Sequence, residues 1–245
     1  MEEQEQELTK KERRLLAKEQ KREEQESTER KSGLTKFVIG LVVVGLLAVG
    51  GWWFWGEATK PVPGVSQETQ VSQIEENDWV KGSTDAKITL IEYGDFQCPA
   101  CGSYAPLVKQ LGQEFSDDLK IAYRHFPLTN IHQNAMPAAR ATEAAGKQGK
   151  FWEMHDLLFE RQTEWSKKPN PEVYFLSLAS ELELDGEVFL EDYKSGEFDD
   201  KIKGNIASGI ASRVNETPSF FLNGEKIRVA VSYEAFKALV EEAME

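Results

Sequence analysis

The chain has 245 residues, a net charge of -13 and two cysteines. The first 36 residues carry ten basic and ten acidic side chains, so the whole excess of acid belongs to the C-terminal part, which offers no basic patch to a phosphate backbone and speaks against nucleic acid as a partner. Two cysteines three positions apart exclude a disulfide framework and place all the sulfur chemistry at one point.

Residues 1–36 are charged and Gln-rich, with Leu8, Leu15, Leu16 and Ala17 nearly their only apolar groups. Such a segment can form an exposed helix but cannot bury a core, and it reads as a solvated cytoplasmic tail. Residues 37–55, Phe37 to Trp55, contain no charge. As a helix they span about 28 Å, close to the roughly 30 Å hydrocarbon layer, and are expected to form a single transmembrane helix. A cleaved signal peptide fits less well, because the preceding region is long and Trp52, Trp53 and Trp55 stand where a peptidase site needs small residues. Lys18, Lys21, Arg22, Arg30, Lys31 and Lys36 precede the span and only Lys60 follows it before Lys81, so the tail is expected inside and the rest outside. Residues 56–75, with Pro61, Pro63 and Gly64, read as an extracytoplasmic linker, and residues 76–245 as one compact domain.

In that domain Ala86 to Tyr93 predicts a strand, and its run of Ile88, Thr89, Leu90 and Ile91 lacks the alternation of a half-exposed sheet. Cys98, Pro99, Ala100 and Cys101 follow. Pro99 suits a first helical position, and Cys101, Tyr104, Leu107, Val108, Leu111 and Phe115 recur at helical spacing, with Pro106 expected to kink the helix. Cys98 then sits at a helix N-terminus, whose free N–H groups and positive dipole end favour a thiolate, making Cys98 the expected nucleophile and the deeper Cys101 the resolving thiol.

Lys120 to Phe126 predicts a second strand. Helical patterns follow at Asn134 to Gly146, at Phe151, Met154, His155 and Leu158, at Val173 to Leu182, and at Phe198, Ile202, Ile206 and Ile210; together they read as a helical insertion over about residues 132–213. Pro218 to Leu222, the turn pair Asn223 and Gly224, and Lys226 to Val229 predict a hairpin, and Ser232 a cap for a last helix. His125, His132 and His155 read first as strand-face or helix-face residues, with His125 also placed to approach the cysteines from the neighbouring strand. Zinc is not expected, because the histidine separations do not match common sites and no second cysteine pair exists.

The order strand, Cys-Pro-Ala-Cys helix, strand, helical insertion, hairpin and helix, with Thr217 and Pro218 before the hairpin, resembles the DsbA family of thiol-disulfide oxidoreductases, including its single-pass anchored members. The resemblance covers about residues 76–245 and implies an α/β thioredoxin-like fold. It implies that Pro218 is a cis-proline packed against the cysteines, that the backbone of Thr217 pairs with a bound peptide, and that Glu92 is a buried proton relay; the bare alternative for Glu92 is a surface or salt-bridged strand residue. It further implies that a substrate thiolate attacks the oxidised pair at Cys98 and Cys101 resolves the mixed disulfide, with no organic cofactor or metal. The partners implied are exported proteins with free thiols and a membrane oxidase of the DsbB or VKOR type, acting with a monomeric catalytic domain. The tuning dipeptide is Pro99-Ala100, without the histidine of the prototype. Oxidation is the favoured direction; a thiol reductase and a non-enzymatic peptide-binding holdase remain open.

Overall fold

The computed structural model describes residues 73–245. The expected tail, the transmembrane helix at 37–55 and the linker up to residue 72 lie outside the described residues, and among those described no helix is long and apolar enough to cross a membrane. The described part carries strands β1 (Trp79–Lys81), β2 (Ile88–Gly94), β3 (Leu119–His125), β4 (Ser219–Leu222) and β5 (Glu225–Ile227). Helix α1 (Pro99–Glu114) joins β2 to β3, and α8 (Tyr233–Met244) ends the chain. Between β3 and β4 run α2 (Ala135–Lys147), α3 (Phe151–Glu160), α4 (Gln162–Trp165), α5 (Glu172–Glu181), α6 (Gly186–Ser195) and α7 (Asp199–Ala211).

The sheet order is β1-β3-β2-β4-β5, with β2 and β3 parallel and the other neighbours antiparallel. The central strand β2 is buried on both faces. Ile88 and Leu90 pack with Val108, Leu111, Phe220, Phe236 and Val240 under α1 and α8, whereas Ile91 and Tyr93 pack with Ala122, Phe126 and Phe221 on the opposite face. This double burial accounts for the lack of polar alternation in the sequence. A third apolar cluster lies among the inserted helices and reaches the thiols through Phe96, Tyr123 and Phe159.

Several local expectations are refined. Helix α1 continues through Pro106 to Glu114, since a proline inside a helix removes one backbone donor and the rest of the ladder can carry on around it. Ser232 stands at the N-cap of α8 but makes no side-chain capping bond. Asn223 and Gly224 both take positive φ, 49° and 85°, the pairing a tight two-residue hairpin turn needs. Strand β5 stops at Ile227, short of the expected Val229. Strand β1 and helix α6 were not visible in the pattern: β1 has three residues, too few for periodicity, and α6 alternates acid and apolar groups, although its cap Asp185, accepting from the N–H groups of Glu187 and Val188, is an ordinary start signal. The domain also begins before Glu76, because Arg124 binds the carbonyl of Gln73 at 2.6 Å and the carboxylate of Asp78 at 2.7 Å.

Candidate active site

Strand β2 ends at Gly94, and the turn Asp95-Phe96-Gln97 delivers Cys98 to the N-cap of α1, with Pro99 in the first turn as expected. Asp95 shapes this turn from beneath. It is buried, its Oδ1 accepts from the Gln97 N–H at 2.7 Å, and its Oδ2 accepts from the Leu128 N–H at 2.9 Å and lies 2.7 Å from His132 Nδ1. The inserted helices hold the turn from the side: Gln162 Nε2 donates to the carbonyls of Phe96 (2.7 Å) and Cys98 (2.8 Å), while the Gln97 side chain bridges the Ser166 carbonyl and the Asn134 N–H. The insertion is therefore part of the active-site frame.

Both thiols are free. Cys98 is 7 % exposed and its Sγ donates to the Thr217 carbonyl at 3.4 Å, across the site, where the Thr217–Pro218 peptide is cis. The Cys98 thiol is held down at about 5, chiefly by a hydrogen bond from the Cys101 thiol and, against the opposing effect of burial, by the N–H groups of Cys101 and Ala100. Cys101 is fully buried, and burial together with that same hydrogen bond pushes its thiol well above the usual range. One sulfur is thus prepared as a thiolate and the other as a thiol.

Glu92 lies on β2 and is only 2 % exposed, which disposes of the surface alternative. Burial raises its carboxyl to about 8, assisted by Cys98 and opposed by Lys81, and its Oε1 has no hydrogen-bond partner among the described residues. Its neighbour across the ladder is Tyr123, also buried, whose hydroxyl is likewise unpartnered. His125 does not reach the thiols: its Nε2 is 2.9 Å from Glu143 Oε1. His132 braces Asp95, and His155 packs edge-on against Tyr123 at 4.9 Å between ring centroids. A groove of about 340 Å³ is lined by Ala100, Tyr104, Thr217, Pro218, Phe220, Arg228 and Val229 among others. The structure places the expected residues Cys98, Cys101, Thr217, Pro218 and Glu92 together with Asp95, Tyr123 and Gln162, which the sequence did not single out because their contacts reach up to 66 positions away.

The family model for Thioredoxin matches residues 75–242. This chain belongs to the thioredoxin family. Its fold is that of the DsbA-type members: it is similar to BdbD from Bacillus subtilis (TM-score 0.60, 22 % identity, 66 % of this chain and 90 % of that one). It is also similar to α-DsbA1 from Wolbachia pipientis (0.61, 19 %, 71 % and 94 %) and to a thioredoxin-like oxidoreductase from Silicibacter pomeroyi (0.57, 27 %, 69 % and 94 %). Among curated relatives, a Na(+)/H(+) antiporter NhaA 1 of Salinispora arenicola is 39 % identical over 168 residues, 69 % of this chain. The chain spans about a quarter of that relative's length.

Proposed function

We propose that this protein is a membrane-anchored thiol-disulfide oxidoreductase that introduces disulfides into exported proteins through Cys98 and Cys101. The observation that carries the reading is the asymmetric placement of the two sulfurs: Cys98 caps the N-terminus of α1 and faces the Thr217 carbonyl at 3.4 Å, whereas Cys101 is fully buried one turn in, a placement that favours a thiolate at Cys98 and keeps Cys101 a thiol. A stabilised thiolate stabilises the reduced form, and this makes the disulfide a better oxidant: in this fold, nucleophile values run from about 7 in thioredoxin to about 3.5 in DsbA. Anchoring rests on the uncharged run from Phe37 to Trp55 and the positive flank before it. Transport is not proposed, since the likeness to the antiporter covers only a quarter of that protein.

Electron balance alters one step of the cycle expected from sequence. In the oxidising direction a substrate thiolate attacks Cys98 Sγ, the Cys98–Cys101 bond breaks, and Cys101 leaves as a thiolate that takes up a proton. The second thiolate of the substrate then attacks the mixed disulfide and releases the Cys98 thiolate. Cys101 acts as the attacking, resolving thiol only in the reverse direction, when the enzyme is itself reoxidised or reduces a substrate. No metal or organic cofactor enters, because the dithiol carries both electrons. A quinone-linked membrane oxidase of the DsbB or VKOR type is the reoxidising partner proposed.

The test is the redox equilibrium of the full-length protein against glutathione, read by thiol alkylation and mass. A potential well above about -270 mV, the thioredoxin value, is expected. A potential at or below that value overturns the oxidase reading in favour of a reductase. Loss of all exchange in Cys98→Ser with partner binding and phenotype retained would instead favour a holdase.

A further inference from the structure

Four buried polar atoms on adjoining residues lack a partner among the described residues: Glu92 Oε1, Tyr123 OH, Trp152 Nε1 and His155 Nε2. Native interiors seldom leave such atoms unsatisfied, and a neighbouring group of them is the kind of site that bridging water completes. The four are contiguous. Glu92 neighbours Tyr123 across the β2–β3 ladder, the Tyr123 ring lies 4.9 Å from that of His155, and the Trp152 ring lies 5.1 Å from it on another side. Lys81 Nζ sits 4.4 Å over the Trp152 ring.

The outer end of this group is wired to solvent. His155 is 3 % exposed and its Nδ1 is 3.0 Å from Asp156 Oδ1, while the other Asp156 oxygen pairs with Lys109 at 2.8 Å. Asp156, 24 % exposed, lines a surface cavity of about 240 Å³ with Gly102, Ala105, Lys109 and Glu160, one turn of α1 beyond Cys101. Since Asp156 is a carboxylate and accepts at Nδ1, the His155 proton resides on Nδ1, which leaves Nε2 facing inward as a bare acceptor. Burial keeps the imidazole neutral, and the charged and titratable groups around it are Lys81 on β1, Glu92 on β2, Tyr123 and His125 on β3, Lys109 on α1, and Asp156 and Glu160 on α3.

We propose that His155 and Asp156 form the outlet through which the proton of Cys101 crosses between Glu92 and solvent. The inference rests on the thiol-exchange reading. When Cys101 must attack, the Glu92 carboxyl first passes its proton through water to His155 Nε2 while His155 Nδ1 passes its own to Asp156, which releases it at the cavity; the Glu92 carboxylate so formed then takes the proton of the Cys101 thiol. Protons run inward along the same groups when Cys101 leaves as a thiolate. His155 and Asp156 act through Glu92 and are positioning residues.

The test follows two steps in the reduced full-length protein mixed with oxidised glutathione: attack by Cys98, which needs no relay, and displacement of glutathione from Cys98 by Cys101, which needs the proton removed. In His155→Phe the first step is expected within twofold of native and the second about tenfold slower at pH 7, with a larger solvent deuterium effect; in His155→Ala, which leaves room for the ring, added imidazole is expected to restore the second step. Asp156→Asn is expected to slow the same step, and decides alone if the His155 variants do not fold. A ring with only a packing role would change both steps or the melting temperature and would not be rescued by imidazole. Folded variants whose second step matches native, without buffer dependence, overturn the outlet while leaving the enzyme reading intact; a native chain that performs neither step overturns both.

Discussion

Two glutamates are buried almost equally in this domain, Glu143 at 1 % exposure and Glu92 at 2 %, and the fold treats them in opposite ways. Glu143 accepts from Trp79 Nε1, pairs with His125 Nε2 and takes Lys201 Nζ, each at 2.9 Å, so that it joins β1, β3, α2 and α7. Burial alone would raise its carboxyl, but the bonds from His125 and Lys201 outweigh burial and hold it below the usual range. Glu92 receives no such set, and burial wins. The difference teaches that satisfying a buried charge makes it structural, whereas leaving it unsatisfied moves its protonation into the range where it can exchange protons.

The comparison can be broken most forcefully at Glu143. Glu143→Ala leaves Lys201 and His125 facing a buried gap and should lower stability by about 3–5 kcal/mol, read from urea or thermal midpoints. A loss under 1 kcal/mol would mean that the network is not what ties α2 and α7 to the sheet.

At Glu92 the sign reverses. Its folded value is raised from 4.5 to about 8, so the folded state binds the proton more tightly than the unfolded chain. The stability this contributes is complete below 4.5 and is lost as pH rises through 8. Native protein should therefore lose about 3–4 kcal/mol between pH 5 and pH 8.5 relative to Glu92→Gln, in which that loss is absent. Parallel pH curves for the two proteins would place the Glu92 carboxyl in an ordinary environment.

A smaller effect is expected at Gln162, which donates to the carbonyls of Phe96 and Cys98. Gln162→Ala should cost about 1–3 kcal/mol through those carbonyls while raising the Cys98 thiol by less than the full shift, because Gln162 is not among the groups that stabilise the thiolate. The midpoint of Cys98 alkylation against pH, about 5 in the native protein, reads this directly. If the variant's midpoint returned to 9.0, the turn geometry rather than the donors Cys101 and Ala100 would set the thiolate.

The core strands and the thiol motif were legible because their signals are local. The run Ile88, Thr89, Leu90 and Ile91, with no regular polar alternation, marks β2, Pro99 marks the start of α1, and Asn223-Gly224 marks the hairpin turn. Strand β1 was not legible, since three residues carry no period and its pairing partner, Tyr123, lies 44 positions from Trp79. The role of Gln162 was equally hidden: nothing in a lone glutamine tells that it will donate to two carbonyls of the active-site turn.

By itself, then, the sequence determined the chemistry available to this protein: two thiols one helical turn apart, a proline placed to start that helix, a Thr-Pro pair ahead of a hairpin and an acid on the strand before the thiols. Composition, spacing and turn propensity act over a few residues, and they can be read from the chain alone. Only the tertiary structure decided what those groups are worth. It brought Thr217 to 3.4 Å from Cys98 across 119 positions, took Glu92 out of bulk solvent, and gave Glu143 three donors while giving Glu92 Oε1 none. Protonation depends on burial and on which partners arrive from distant parts of the chain, and those are settled when the sheet, α1 and the inserted helices close on one another.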